Sequence, residues 1–247
     1  MGDLLELTAQ AEATHFWFRG FRTFVAPVLR EIAAGRRDLR MIDCGCGTGY
    51  NLTTLLQPYG RAFAFDLTPD ALRRARRSGC PLVRADLEHI PFRSGSFDLA
   101  TSFDVVQSVP DDRKALHEMA RVLKPGGHVV LNVTALELLR GDHSEVWGEL
   151  RRYTPQAAAR LIEDAGLQVA RITYLFASLV PLMLAVRSVQ RLLRPFREEM
   201  RGDSDLTVPP APINAALTTL VRGEVALGRY VGMPFGSSLL VVGRKAG

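Results

Sequence analysis

A chain of 247 residues with 47% hydrophobic and 23% charged side chains has the size and make-up of one α/β domain with an elaboration, which excludes a disordered or fibrous protein. The net charge of +5 rests almost wholly on arginine, since Lys114, Lys124 and Lys245 are the only lysines, and so general a bias does not specify nucleic acid or membrane. Cys44, Cys46 and Cys80 make neither a disulfide framework nor a four-ligand metal set, so no metal site is expected and a reducing cytoplasm fits.

The acidic start, MGDLLELTAQ, carries no apolar h-region, and no signal peptide is expected. Thr14 to Ala34 reads as an amphipathic helix, or two joined near Pro27, with Phe16, Trp17, Phe18, Phe21 and Phe24 as a packing stripe. Met41 and Ile42 then lead as a strand into Asp43 and a turn with Gly45, Gly47 and Gly49 at alternate positions. Glycine belongs there because it tolerates φ > 0 and lets a nucleoside approach the backbone. A dinucleotide fingerprint would need glycine where Tyr50 stands, and Asp43 would repel a pyrophosphate, so the ligand at this turn is neutral or cationic.

Arg61 to Asp66 reads as the second strand, ending in a carboxylate placed for ribose hydroxyls, with Thr68 as cap and Pro69 as first residue of a basic helix. Pro81 to Asp86 is the third strand, and Phe103-Asp104-Val105 leaves the fourth at its mouth. A helix over Arg113–Leu123 is followed by the turn Lys124-Pro-Gly-Gly127 and a fifth strand, His128–Thr134. Thr154 and Pro155 open a helix that stops at Gly166. The sixth strand, Gln168–Phe176, and the seventh, Ser237–Gly243, are separated by about sixty residues. That insertion begins with thirteen uncharged residues, Tyr174–Val186, too few to span a bilayer as a helix. A basic amphipathic segment with Arg187, Arg191 and Arg194 on one face follows, then a helix over Ala215–Tyr230.

The glycine turn resembles the first motif of class I S-adenosylmethionine (SAM) dependent methyltransferases, and correctly ordered later motifs extend the likeness over residues 39–134. His15-Phe-Trp-Phe18 with Arg19, and Arg151-Arg152-Tyr153-Thr154, resemble segments of a bacterial small-molecule group of that class. The resemblance implies a Rossmann-like seven-stranded doubly wound sheet, order 3-2-1-4-5-7-6, last strand antiparallel, with a helical insertion before the last strand. It divides the chain into an amino-terminal helical lid (1–38), a SAM-binding core (39–176), the insertion (177–235) and the last strand (236–247). It also implies that SAM is the cofactor and S-adenosylhomocysteine (SAH) the product. Asp43, Gly45, Cys46, Gly47 and Gly49 would hold the methionine end with Phe103, Asp66 and Leu67 the nucleoside, and Asp86 and Leu87 the adenine. Trp17, Arg19, Gln107, Trp147, Arg151 and Arg152 are candidates for the substrate, and His143, Tyr153 and His15 for proton removal. For Arg151 and Arg152 the alternative is structural pairing to Glu145 and Glu149.

The reaction expected is methyl transfer to a small molecule, foremost an oxygen of a hydroxylated, sugar- or lipid-linked metabolite. The absence of the Glu-His pair common after the fourth strand, here Gln107-Ser108, leaves a non-catalytic SAM-binding protein as one alternative, and an RNA or protein methyltransferase as another. Nucleic acid is disfavoured, since neither an Asn/Asp-Pro-Pro-aromatic tetrapeptide nor a Pro-Cys nucleophile is present. The protein is expected in the cytoplasm or peripherally at the inner membrane face, with residues 177–230 as a membrane-surface, homodimer or roofing element.

Overall fold

The computed structural model describes residues 2–193, 206–228 and 230–247, with the side chains of 2, 3, 142, 143 and 190–193 outside that description. Seven strands, β1 (Leu39–Cys44), β2 (Gly60–Asp66), β3 (Leu82–Arg84), β4 (Phe97–Phe103), β5 (Leu123–Thr134), β6 (Leu167–Leu175) and β7 (Ser238–Lys245), form one sheet. Its order is β3-β2-β1-β4-β5-β7-β6, with β7 antiparallel to both neighbours and the remaining pairs parallel, as expected from the sequence. The central strands are apolar runs buried on both faces, which is what helices on either side require.

The α-helices are α1 (Gly2–Ala11), α2 (Phe16–Ala33), α3 (Pro69–Ala75), α4 (Asp112–Val122), α5 (Asp142–Val146), α6 (Pro155–Asp164), α7 (Val180–Leu193) and α8 (Ala211–Leu227). One face of the sheet packs Phe97, Val129 and Val241 against Leu116 and Met119 of α4 and Ile162 of α6. The other packs Met41, Leu99 and Val130 in a cluster with Phe21, Val25 and Leu29 of α2, Phe176, and Val221 of α8.

Of the two readings of the amino-terminal helix, the single one holds: α2 runs unbroken through Pro27, because burial of Val25, Val28 and Leu29 on one face outweighs one lost backbone bond. Other elements differ from the sequence reading. Lys124 to Gly127 do not precede the fifth strand but bulge within it: Leu123 already pairs with Phe97, and pairing resumes at His128 opposite Leu99. Thr68 occupies the cap position of α3 but gives its hydroxyl to Asp66 Oδ1 at 2.8 Å rather than capping the helix. The amino-terminal α1, whose apolar pattern is too short to register in the sequence, is tied to α3 by Arg74–Glu6 at 2.5 Å. The glycine turn leads into a π-helical stretch, Leu52–Leu56.

The insertion is bound into the fold. Asn214 of α8 clamps the start of α2, its Oδ1 accepting from Phe16 N at 2.8 Å and its Nδ2 donating to Thr14 O at 2.9 Å. The buried Glu224 carboxylate accepts from Ala177 N and Ser178 N just ahead of α7, where a helix amino terminus favours negative charge. Arg187 does not join an outward basic face: it is buried, its stem against Gly141, where no side chain stands in the way. The Arg191 side chain and Arg194 lie outside the described residues. No described helix is long and apolar enough to cross a membrane.

Gly20 sets the approach of α2 to α8. A Cβ there would stand 2.7 Å from Val221 Cγ1 and 3.0 Å from Phe176 Cε1. Gly20→Ala should therefore destabilise the protein by ~1–2 kcal/mol, overpacking exceeding the helix-propensity gain. An unchanged or raised midpoint in thermal denaturation would contradict this packing.

Candidate active site

The sheet order reverses between β1 and β4, and the crevice beyond the carboxyl ends of such strands is where open α/β sheets bind ligands. The turn after β1 occupies it. Gly45, Gly47 and Gly49 all have positive φ, +85°, +52° and +81°, but each is glycine for a different further reason. A Cβ on Gly45 would strike Val105 at 2.6 Å, and one on Gly49 would strike the α3 backbone at Ala75, 2.7 Å away. At Gly47 a Cβ would meet nothing within 4 Å, so this glycine borders open space. Cys46 is buried beneath the turn, and burial raises its thiol, which makes it an apolar packing group. No cluster able to hold a metal ion occurs among the described residues.

Three carboxylates stand at or just beyond the carboxyl ends of β1, β2 and β3. Asp66, at the end of β2, accepts from Gly47 N through Oδ2 at 2.9 Å and from Thr68 N through Oδ1 at 2.9 Å, so the turn fixes its direction while lone pairs remain for a ligand. Asp43, at the end of β1, is 2% exposed and accepts from Thr101 Oγ1 at 2.7 Å. Burial first, and Asp66 nearby second, push its carboxyl up to about 7, the state of a group that a cationic ligand would relieve. Asp86 is exposed beyond β3, with Glu88 N donating to its Oδ1, beside the buried Leu87. Leu67 stands 58% exposed, an apolar side chain left uncovered next to Asp66.

A further acid, passed over in the sequence in favour of its neighbour Phe103, is Asp104. It takes a left-handed φ of +59°, a strained conformation outside glycine that recurs at functional sites. Its side chain is exposed to solvent. Asn132 Nδ2 donates to its Oδ1 at 2.7 Å and Gln107 gives it a second bond, while desolvation raises the carboxyl to about 6 against both. The residue after it, Val105, is the one that packs on Gly45, so Asp104 adjoins the glycine turn. Phe103 meets Phe21 edge to face at 5.0 Å, and α2 thereby covers this end of β4.

The amino-terminal segment reaches the same turn. Glu12, also missed in the sequence, is buried and accepts from Thr48 Oγ1 at 2.6 Å, and burial raises its carboxyl. Arg22 lies over the Tyr50 ring at 4.7 Å and donates to Glu12 O. Arg19, one turn earlier, is half-buried, and its guanidinium has no hydrogen-bond or ion-pair partner among the described residues.

The other candidates take up different places. His15 is buried and caps α2, its Nδ1 accepting from Trp17 N at 3.1 Å, and Trp17 stacks on Phe176 at 3.9 Å. Arg151 gives its guanidinium to Val109 O and Pro110 O at 2.5 and 2.8 Å. Arg152 pairs with Glu149 at 2.5 Å and donates to Ala135 O, both side chains nearly buried, so the structural pairing weighed for Arg152 holds through Glu149. Tyr153 donates its hydroxyl to Asp112 at 2.7 Å, and burial with that bond raises its pKa, which makes it a poor base. Gln107 is buried beside Asp104, and Trp147, half-buried, accepts from Ser108 Oγ through its carbonyl. His143 lies in α5, its side chain outside the described residues.

These residues fit one group. The open space at Gly47, the ordered Asp66 carboxylate beside it, and a buried carboxyl near neutrality suit a nucleoside carrying a cationic sulfonium and ammonium. The fold is similar to that of class I SAM-dependent methyltransferases, whose cofactor is SAM. Residues 42–131 match the family model described as a methyltransferase domain.

Among curated proteins, the chain is 32% identical over 160 residues to an uncharacterized 37.1 kDa transposon protein of Streptomyces fradiae, covering 61% of this chain and 46% of that one. It is 30% identical over 162 residues to a malonyl-[acyl-carrier protein] O-methyltransferase of Herminiimonas arsenicoxydans, covering 64% and 62%. The chain therefore spans about half the length of these relatives. Among solved structures, the fold is like that of a sarcosine dimethylglycine methyltransferase assigned in Galdieria sulphuraria, with TM-score 0.59 at 18% identity over 90% of this chain and 84% of that one.

Proposed function

We propose that the chain transfers the methyl group of SAM to a small-molecule acceptor, and that Asp104 receives the proton the acceptor gives up. The observation that carries this reading is the grouping at the glycine turn, where the sheet order reverses, of Asp66 beside Gly47, Asp43 buried beneath, and Asp104 next to the Val105 that packs on Gly45.

When bound, SAM supplies a methyl carbon on a sulfonium that departs as a neutral thioether, so proximity and alignment are most of what the protein adds. Asp66 takes the ribose hydroxyls, oriented by Gly47 N. Leu67 covers a face of the adenine, and Asp86 with the Leu87 N–H takes its edge. Arg19, without a partner among the described residues and on the α2 face that carries Arg22 to the turn, takes the methionine carboxylate, while Asp43 provides negative charge beneath the cationic end. Phe21 against Phe103 excludes water from that side. Asp104, raised to about 6, is ionised at neutral pH and close enough to neutrality to accept a proton, the task the sequence reading gave to His143, Tyr153 or His15.

The acceptor is a hydroxyl or amine of a small metabolite. Arginine-held recognition of an anionic acceptor loses its support, because Arg151 and Arg152 are already bonded within the fold. Methyl-tritiated SAM incubated with the protein and a bacterial cell extract should leave label in the small-molecule fraction. Label confined to RNA or protein, or SAH bound with no transfer to any fraction, would overturn the reading.

A further inference from the structure

The surroundings of Asp104 also bear on the charge of the acceptor. The amide groups of Asn132 and Gln107 turn their nitrogen ends to its carboxylate, which fixes where their oxygens go. Asn132 Oδ1 and Gln107 Oε1 are then left without a hydrogen-bond partner, on side chains 1% and 4% exposed. A buried amide oxygen without a donor is costly, so among the described residues the environment behind Asp104 is rich in acceptors and negative in potential. The Glu149 carboxylate adds to the negative field at Asp104 even though it is paired with Arg152. The guanidinium groups of Arg151 and Arg152, which could have balanced that field, are engaged with backbone carbonyls and acids.

We infer that the acceptor presents an amine to Asp104, so that nitrogen is the atom methylated and carboxylate acceptors are turned away. This rests on the methyl-transfer reading above and narrows it. An amine brings N–H donors and positive charge to the exposed Asp104 carboxylate, whereas a carboxylate would stand against it, and among the described residues Arg151 and Arg152 are already engaged elsewhere. In the reaction the nitrogen lone pair forms the new N–C bond as the S–C bond breaks. The bonding pair goes to sulfur, and the proton shed by nitrogen passes to Asp104 and on to water. The printed activity of the malonyl relatives, O-methylation, would then not carry over to this chain.

The test uses two probes matched in their apolar part, phenethylamine and 3-phenylpropionate, titrated into the full-length protein saturated with SAH and followed by thermal shift. Phenethylamine should raise the midpoint and 3-phenylpropionate should not, and Asp104→Asn should weaken the amine's apparent affinity at least tenfold while SAH affinity changes less than threefold. Stabilisation by the carboxylate, by neither probe, or by the amine equally in Asp104→Asn would overturn the inference. Failure of SAH itself to shift the midpoint would instead remove the methyl-transfer reading beneath it. Tritium transferred from SAM in the extract gives an independent readout. Product retained on a cation exchanger and stable to alkali supports an N-methyl product, and label released by alkali as methanol, the mark of a methyl ester, contradicts it.

Discussion

Asp66→Ala lowers the affinity for SAH by about 100-fold or more, since two hydroxyl donors to a carboxylate contribute ~1.5–3 kcal/mol each. The structure explains why no neighbour would substitute. Asp66 is the group that Gly47 N and Thr68 orient at the turn, and Asp43, close enough to feel its charge, is sealed beneath it. Because Asp66 also anchors the turn, alanine will lower stability, and Asp66→Asn separates the two effects. Asparagine can still accept from Thr68 or Gly47, so the turn survives while the charge is lost, and a loss of about tenfold is expected. Isothermal titration of the three proteins reads this directly, and SAH affinity unchanged in both variants would detach the ribose from Asp66.

Asp43→Asn produces the second large effect, and its sign changes with ligand. Folded Asp43 titrates near 7 against an ordinary value of 3.8, so between about pH 4 and pH 7 the native state holds a proton that the unfolded chain has released. Stability contributed by the protonated group is complete below pH 4 and is lost as pH rises to 7. Without ligand, Asp43→Asn should thus be more stable than the native protein at pH 8, by on the order of a few kcal/mol, with the advantage gone at pH 4. With SAM the order reverses. The cationic donor favours ionised Asp43, so native affinity should rise from pH 6 to pH 8 and affinity of the variant should not. Thermal denaturation at the two pH values, with and without SAM, checks both halves; a variant less stable at pH 8 without ligand would contradict the assigned strain.

The strands were legible in the sequence as short apolar runs, several of them closed by an acid or a glycine, and their order followed from the resemblance to the methyltransferase class. The cofactor side was legible for the same reason: Asp43, Asp66 and Asp86 end three successive strands, and strand ends lie on one edge. The acceptor side was not. Arg151, Arg152 and Tyr153 have the residue types of a substrate site, and only coordinates show them bonded to carbonyls, Glu149 and Asp112. Asp104 was hidden for the opposite reason. It was seen at the mouth of the fourth strand without a role, because its two amide partners lie 3 and 28 positions away and its left-handed backbone has no sequence signature. The insertion was read as an apolar stretch of open purpose, and its attachment depends on Asn214 and Glu224, single polar residues with no periodic signature.

The most direct test of the account is a crystal structure of the protein with SAH. The account places the ribose hydroxyls on Asp66, the adenine beside Leu67 and Leu87, the methionine carboxylate at Arg19 and the thioether sulfur facing Asp104. SAH bound away from the Gly45–Gly49 turn, or bound there with its sulfur turned from Asp104, would contradict it.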